Sequence, residues 1–419
     1  MQEIRKLIQR KILHDYDIVM QENISEGKIR DYVEEIAQTL PAKDRELLRD
    51  AHLRDEIAKS IMEHIVGLGP LKGLLEDPEV TEIMVNGPRK IFVERRGRME
   101  LTPLQFDSDT QLVNVIHRIM NPTQRRVDES NPYVDISLSD GSRVNIILPP
   151  LSLTGPTITI RKFSQELNVM EDLIKRGSLS QEMADFLIAA VKAKLNIIFS
   201  GSTGAGKTTT LNILSSYISD QERIVTIEDT AELRLRQSNV VRLETRAANI
   251  EGKGIITIRD LFINSLRMRP DRIIIGEIRA NESLDMLQAI SSGHGGTMAI
   301  VHGDSPEGVI SRIETMIAIS LAALPVWVIR KQIASALNII VHQEQVADGT
   351  RKVTRIAEVR GVQDNEIVLQ DIFSFRPDDV AEGSKVTGTW ITSSSAPLFT
   401  NKLKKIDGRF DENFFKGVS

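Results

Sequence analysis

A glycine-rich segment near the middle of the chain has the residue types that bind the phosphates of a nucleotide. The segment reads Gly201-Ser-Thr-Gly-Ala-Gly-Lys207-Thr208 and follows the apolar run Asn196–Phe199. Glycines let backbone N–H groups turn toward phosphate oxygens, and the helix predicted to open here adds partial positive charge. The lysine would reach the β- and γ-phosphates, and the threonine hydroxyl would bind Mg²⁺. The pattern predicts a site for ATP and Mg²⁺ formed by Gly201, Ser202, Thr203, Gly204, Ala205, Gly206, Lys207, Thr208 and Thr209.

Two acidic segments come directly after apolar runs and could complete the metal site. One is Asp271-Arg-Ile-Ile-Ile-Gly-Glu277, and the other is Ile227-Glu228-Asp229-Thr-Ala-Glu232. Parallel strands present their carboxyl ends at the sheet edge where ligands bind. Glu277 would hold Mg²⁺ through water or orient the attacking water, and Glu228 is the better candidate for a general base that activates that water. The residues leave the division of labour between Glu228 and Glu277 open.

Histidines and arginines supply further candidate contacts to the γ-phosphate. His294 lies among glycines, which predicts a flexible loop near the nucleotide where the imidazole senses the γ-phosphate. Charge that develops in the transition state also requires cations, and Arg143 and Arg161 on predicted strands are candidates. Three more arginines flank the acidic strand: Arg267, Arg269 and Arg279. No Cys/His cluster has the spacing of a metal site, so zinc is not expected.

Helices and strands are predicted to alternate around these segments. Helical patterns cover Met183–Lys192 and Thr208–Ile218, and buried strands cover Asn196–Phe199, Ile224–Ile227 and Ile273–Ile275. This alternation predicts a largely parallel sheet flanked by helices. A hairpin is predicted beyond it, with strands Val353–Val359 and Glu366–Phe373 and a turn at Gln363-Asp-Asn365.

The chain upstream of the phosphate loop is predicted to form two further regions. Residues 1–65 read as helices, because apolar residues recur at helical spacing in two sets: Ile29, Val33, Ile36 and Leu40, then Ile57, Ile61 and Ile65. Residues 66–168 read as a small α+β domain, since short strands and Gly/Pro turns surround one helix at about 110–120. The phosphate loop then falls in a third region, 169–419.

Composition limits the classes of protein that fit. A chain of 419 residues exceeds one ordinary core, and 26% charged with 41% hydrophobic residues is typical of globular proteins. Cysteine is absent, which excludes disulfides and thiolate metal sites. The net charge of −5 lacks the basic footprint of a nucleic-acid binder. Charges interrupt the first 20 residues, so no signal peptide is expected, and the 14-residue apolar run Met316–Ile329 is predicted to be a buried segment.

The order of these motifs resembles that of the type II/type IV secretion ATPase superfamily. The phosphate loop, the Ile-Glu-Asp-Thr-Ala-Glu segment, the Gly-Glu277 strand and Gly-His294-Gly-Gly-Thr look like its Walker A, Asp box, Walker B and His box motifs. Upstream, Asp128-Glu-Ser, Asp140-Gly-Ser-Arg-Val-Asn145 and Gly155-Pro-Thr-Ile-Thr-Ile-Arg-Lys-Phe163 are similar too. Together they look most like the CpaF-type branch, the motors of tight-adherence (Flp) pili. The resemblance covers roughly residues 60–375.

The resemblance implies a particular architecture and assembly. A PAS-like amino-terminal domain would precede a RecA-like ATPase domain, and six copies would form a cytoplasmic hexamer at the base of an inner-membrane machine. Partners would be inner-membrane platform proteins, with peripheral membrane association through them. Arg143 and Arg161 would contact nucleotide on domain closure, Glu228 would be the general base and Glu277 would support Mg²⁺. The tetracysteine zinc module of some relatives is missing here, as in the CpaF-type branch.

Other functions with a phosphate loop remain as alternatives. Conjugative type IV secretion and archaellum motors are near neighbours of a pilus motor. A nucleic-acid translocase would also be RecA-like, but the acidic pI of about 5.9 and the 4% aromatic content offer no clear platform for stacking bases. A small-molecule kinase would ordinarily lack this upstream domain.

Overall fold

The chain, described by a computed structural model, forms two compact units, 1–164 and 165–419. The described residues are 8, 26–40, 54–58, 67–95, 97–123, 126–138, 140–162, 169–246, 253–280, 282–320, 324–378 and 386–416. Each unit has its own sheet and its own apolar core. Of the predicted amino-terminal helical positions, Ile61 and Ile65 lie outside the described residues.

The first unit contains a six-stranded antiparallel sheet. Its described helices are α1 (Glu26–Thr39), α2 (Leu71–Glu76) and α3 (Asp109–Met120), and its strands are β1 (Val80–Asn86), β2 (Ile91–Arg95), β3 (Arg98–Leu101), β4 (Tyr133–Ser137), β5 (Arg143–Ile147) and β6 (Thr157–Arg161). The strand order is β3-β2-β1-β6-β5-β4. Burial alternates along β5 and β6, where Val144 and Ile160 are fully buried. These strands therefore turn one face to a core that they share with apolar residues of α3.

The second unit alternates helices and strands for most of its length. Its elements are α4 (Met170–Lys175), α5 (Gln181–Lys192), β7 (Ile197–Gly201), α6 (Lys207–Ser215), β8 (Ile224–Glu228), β9 (Val240–Glu244), α7 (Ile258–Ser265), β10 (Arg272–Ile275), α8 (Glu282–Ser291), β11 (Met298–His302), α9 (Pro306–Ser320), α10 (Val326–Ala336), β12 (Ile339–Gln345), β13 (Arg351–Gln363), β14 (Glu366–Pro377), β15 (Gly388–Thr392), α11 (Thr400–Ile406) and α12 (Glu412–Lys416). A 3₁₀ turn, Leu266–Met268, precedes β10.

The second unit's sheet is parallel where the predicted site residues lie. In the order β15-β14-β13-β12-β7-β11-β10-β8-β9, the six strands from β12 to β9 run parallel and the rest are antiparallel. Every residue of β7, β8 and β10 is buried, because apolar clusters cover both faces of the sheet. The predicted parallel sheet flanked by helices is confirmed. So is the hairpin, whose turn places Asp364 and Asn365 in the left-handed region.

The apolar run Met316–Ile329 is not one buried segment, so that prediction is wrong. The helix α9 ends within it at Ser320, and α10 begins at Val326, directly after Pro325. Ile319 is 78% exposed and Trp327 is 52% exposed. An apolar run without helical periodicity does not indicate which of its side chains are buried. Their burial depends on which helices pack against the run. Among the described residues, no helix combines the length and apolar character needed to cross a membrane.

Candidate active site

The phosphate loop connects the buried strand β7 to α6. β7 ends at Gly201 and α6 begins at Lys207, so the first N–H groups of the helix open onto the loop. Gly201 and Gly206 have φ of 139° and 95°, a region that side-chain-bearing residues rarely adopt. A Cβ on Gly201 would also lie 2.0 Å from the carbonyl oxygen of Gln343 on β12. The course of the loop therefore requires glycine where β7 meets β12.

Lys207 brings a cation to the start of this helix. Its Nζ donates to the carbonyl oxygen of Ser202 at 2.7 Å and lies 3.5 Å from Nδ1 of His302. The residue is 6% exposed, so these contacts fix the ammonium beside the loop and the end of β11. A phosphate bound at the amino end of α6 would meet this charge and the helix N–H groups together.

Glu277 and His302 form the second part of the site. Nε2 of His302 lies 3.1 Å from Oε1 of Glu277, and Oε2 of Glu277 accepts a hydrogen bond from Nη2 of Arg279 at 2.6 Å. The tautomer with its proton on Nε2 lets His302 donate to Glu277 while Nδ1 accepts from Lys207. The ring therefore links the phosphate-loop lysine to the strand-end acid.

The charges of this group follow from its surroundings. Burial alone would raise the pKa of Glu277, but the hydrogen bond and charge of Arg279, with the charge of Lys207, hold that pKa below its ordinary value. Burial and the charge of Lys207 lower the pKa of His302. At neutral pH, Glu277 is therefore a carboxylate and His302 a neutral ring.

Glu228 has a different environment, although it ends a neighbouring strand. It is 2% exposed, and its Oε2 accepts hydrogen bonds from the backbone N–H groups of Glu232 at 2.8 Å and Leu233 at 2.9 Å. Burial raises its pKa to about 7, against the effect of these two bonds. A Cβ on Gly276 would lie 2.9 Å from Cγ of Glu228. Glu228 thus packs closely against Gly276, directly before Glu277, while its hydrogen bonds hold the segment that follows β8.

We expect Glu228→Gln to change how stability depends on pH. The folded-state pKa of about 7 lies above the ordinary value of 4.5. The stabilisation that this proton provides is complete below pH 4.5 and is lost as pH rises through about 7. Glutamine removes the titration, so the variant's free energy of unfolding relative to wild type should rise across this window, by at most about 1.4 kcal/mol per pH unit. Thermal melts at several pH values measure this, and Glu244→Gln, an exposed acid that is the register partner of Glu228, is the control. A difference that does not vary with pH would contradict the assignment.

The donors at this sheet edge suit magnesium. Mg²⁺ takes oxygen ligands, keeps several waters and uses one or two protein groups besides substrate phosphates. Thr208, the second residue of α6, and Glu277 supply a hydroxyl and a carboxylate of the required kind. Within the described residues, no group of three or more His, Cys, Asp or Glu is arranged to hold a metal without such help. The residues fit a metal that arrives with a nucleotide.

His294 and the phosphate loop lie at opposite edges of the sheet. The prediction that the loop around His294 approaches a nucleotide bound by the same chain is therefore wrong. His294 precedes β11, whereas the phosphate loop follows β7, and these strands are parallel neighbours. The glycines beside it have a structural role. The N–H of Gly296 donates to Oδ1 of Asn196, and a Cβ on Gly296 would lie 2.3 Å from Nη1 of the buried Arg272. Arg267 and Arg269 lie before β10, at the same amino edge.

The two arginines of the first unit lie side by side. Arg143 on β5 and Arg161 on β6 are directly opposed in the register of the sheet. Their strand neighbours Val144 and Ile160 face the core, so both arginines lie on the other face. Glu82 on β1 is the other register partner of Arg161, so a carboxylate already lies beside this pair and offsets the repulsion between the like charges.

His302 and Gln343 lie at the phosphate loop but were not predicted as site residues. Gly201 lies in register between His302 on one side and Gln343 on the other. Nε2 of Gln343 donates to Oγ1 of Thr210 in α6 at 2.9 Å, so Gln343 ties β12 to the loop's helix. His302 carries a sequence signal, because it ends an apolar run as Glu228 does. Gln343 carries none, since the sequence does not show that β12 borders β7.

The phosphate loop between a buried strand and a helix, with a carboxylate and a histidine at the ends of neighbouring parallel strands, defines an ATPase of the RecA-like class. The chain belongs to the Type II/IV secretion system protein family, whose family model matches residues 65–381. The expected superfamily and the RecA-like α/β fold, preceded by a small α+β unit, are thereby confirmed.

Individual relatives agree with this family. The chain is 32% identical over 306 residues to a putative conjugal transfer protein of Mycobacterium tuberculosis, covering 72% of this chain and 86% of that protein. It is 31% identical over 302 residues to the protein VirB11 of Agrobacterium fabrum, covering 65% and 87%. The crystal structure of the pilus retraction motor PilT with bound ADP is similar in fold, with 20% identity, a TM-score of 0.51 and coverage of 73% of this chain and 81% of that one.

Proposed function

We propose that this ATPase drives assembly or retraction of a tight-adherence (Flp) pilus. It would work as a homo-hexamer in the cytoplasm, associated peripherally with the inner membrane through platform proteins, and without a nucleic-acid partner. The observation that carries the proposal is the set of motifs that resemble the CpaF-type branch in both halves of the chain, from Asp128-Glu-Ser to Gly-His294-Gly-Gly-Thr. The absence of cysteine agrees with that branch.

A conjugative type IV secretion motor is the second candidate. It is favoured by the names of the relatives, since one is a putative conjugal transfer protein and another is VirB11. An archaellum motor is a further alternative. The machine that such an ATPase serves is decided by its membrane partner and not by the nucleotide site, which these motors would share.

A chromosomal Lys207→Ala strain separates the two candidates. For a pilus motor, we expect surface pili counted by electron microscopy to disappear while DNA transfer between cells stays normal. Lys175→Ala, an exposed lysine at the end of α4, should keep its pili. Normal piliation with lost DNA transfer would favour the conjugative motor. Capture of the full-length protein with its membrane platform, and sedimentation for the hexamer, test the partners.

At the site, we propose that Glu277 and Thr208 hold Mg²⁺ and that Glu277 also orients the attacking water. Glu277 is a carboxylate within reach of His302 and near Lys207, whereas Glu228 is buried and holds backbone N–H groups. ATP bound with Mg²⁺ supplies the γ-phosphate that water attacks. Lys207 would neutralise its charge, His302 would report on it, and Glu228 would fix the position of the backbone before Glu277.

We further propose that Arg143 and Arg161 supply cations to the γ-phosphate in the assembled motor. Arg143→Ala and Arg161→Ala should each lower ATP turnover about tenfold to a hundredfold, less than the 10³-fold or more of a sole arginine finger, because two residues share the charge. Turnover is measured on full-length protein with sedimentation in parallel, since the oligomer should be retained. Arg98→Ala, on the exposed edge strand β3, is the matched control. Unchanged turnover in both variants would remove these arginines from the site.

A further inference from the structure

Arg279 joins two carboxylates that come from neighbouring strands. Its Nη2 donates to Oε2 of Glu277 at 2.6 Å, and its Nη1 lies 3.2 Å from Oδ2 of Asp229. Glu277 follows β10 and Asp229 follows β8, and these strands are parallel neighbours. The planar guanidinium can meet two carboxylates at once through its fork of N–H groups, which a lysine ammonium cannot do equally well. One cation therefore neutralises both acids.

The backbone and the head of Arg279 are held differently. The N–H groups of Arg279 and Ala280 donate to Oε1 of the buried Glu282 at 2.6 and 2.9 Å. The side chain of Arg279 is 53% exposed. The base of the side chain is thus anchored at the start of α8, whereas the guanidinium can leave its partners by changing rotamer. Partly exposed ion pairs of this kind exchange at small cost.

The guanidinium and a magnesium ion need the same oxygen atoms. Oε2 of Glu277 is already bound by Arg279, and Mg²⁺ would use that carboxylate directly or through water. A guanidinium that is already bound between the two carboxylates lowers their attraction for a second cation. Mg²⁺ that arrives alone must displace Arg279 without offering it a partner. Mg²⁺ that arrives with a triphosphate brings anionic oxygens to which the displaced guanidinium can donate.

We propose that Arg279 is a positioning residue that occupies the Glu277 and Asp229 carboxylates in the nucleotide-free protein and makes Mg²⁺ entry depend on nucleotide. The inference rests on the proposed role of Glu277 in holding Mg²⁺. When metal and nucleotide enter together, Arg279 would release Glu277, leave that carboxylate free to hold Mg²⁺, and donate to the phosphates instead. When they leave, Arg279 returns, so the two acids do not trap a free metal ion.

Mn²⁺ binding to nucleotide-free full-length protein, followed by electron paramagnetic resonance, tests this exchange. Mn²⁺ prefers the same oxygen donors as Mg²⁺. Arg279→Gln should bind Mn²⁺ at least about tenfold more tightly than wild type, because a charged competitor for the oxygens is gone. Arg279→Lys, which keeps the charge and loses the fork, should fall between them. Adding Glu277→Gln to Arg279→Gln should abolish the gain.

A control variant should leave Mn²⁺ binding unchanged. Arg259→Gln removes a comparable pair, Arg259 Nε with Asp285 Oδ2 at 2.7 Å, and should bind Mn²⁺ as wild type does. Equal Mn²⁺ affinity in wild type and Arg279→Gln would overturn the proposal. If Arg279→Gln does not fold, unchanged affinity in Arg279→Lys overturns it instead. ATP turnover by the single Glu277→Gln variant tests the proposed function separately, so the two failures are distinguishable.

Discussion

Replacing Lys207 with alanine is expected to lower ATP turnover by about 10³-fold or more while the protein stays folded. The ammonium is the cation that the chain places at the amino end of α6, beside the loop that would hold the phosphates. Phosphoryl transfer depends mainly on such positioned charge, because the protein supplies little covalent chemistry of its own. The loop itself should keep its course, since glycine conformations and the contact between β7 and β12 determine it.

Steady-state phosphate release, with nucleotide affinity measured separately, gives the size of the effect. Circular dichroism and a thermal melt confirm that the variant is folded. Lys175→Ala is the matched control, because it removes an exposed lysine from the same unit. Turnover within a few-fold of wild type in Lys207→Ala would refute the role of the phosphate loop.

The strand-end acids were predictable because one physical rule places them. Glu228 and Glu277 each come at or just after the end of an apolar run, and buried runs of this length are typical of parallel strands. Parallel neighbours then bring their carboxyl ends to one edge, which is where the structure has both acids. The same rule applied to His302, which ends the apolar run Met298–His302, would have selected it over His294.

His294 misled the sequence interpretation because glycines have two uses. Glycine-rich segments surround ligands, but they also let a backbone pass close to a large side chain. At Gly296 the second use applies, since the guanidinium of Arg272 lies against it. Arg272 is 1% exposed and is bound by Glu222 at 2.7 Å, a contact between residues 50 positions apart that no local pattern reveals.

The carboxyl-terminal tail was also beyond sequence reasoning. After β15, the chain packs Phe399, Phe410 and Phe415 around Phe186 of α5, with ring centroids 6.0 to 6.4 Å apart. Their spacing in the sequence follows neither a helix nor a strand period, because the tail crosses α5 in short pieces. These rings add to the core on the face of the sheet that α6 also covers.

The sequence left open how Glu228 and Glu277 divide their roles, and the difference in their surroundings now gives a physical basis for that division. Both acids follow apolar strands, so the pattern treats them alike. Contact with Gly276 and two backbone N–H groups holds Glu228 inside the protein. Glu277 instead meets Arg279 and His302 at the surface of the site. A carboxyl with a pKa of about 7 is half protonated near neutral pH, so glutamine resembles it more closely than it resembles the ionised Glu277.

Glu277→Gln should therefore leave ATP binding within a few-fold of wild type and slow hydrolysis by about 10²- to 10³-fold, because the neutral amide can neither replace the carboxylate at Mg²⁺ nor orient the attacking water as an anion does. The loss of turnover in Glu228→Gln at neutral pH should be at least about tenfold smaller than the loss in Glu277→Gln. The amide oxygen of the glutamine can still accept hydrogen bonds from the two backbone N–H groups. Binding of a fluorescent nucleotide and steady-state turnover, measured separately for both variants and for the control Glu244→Gln, give the comparison. A larger loss in Glu228→Gln than in Glu277→Gln would reverse the assignment, with the buried acid as the group that activates water.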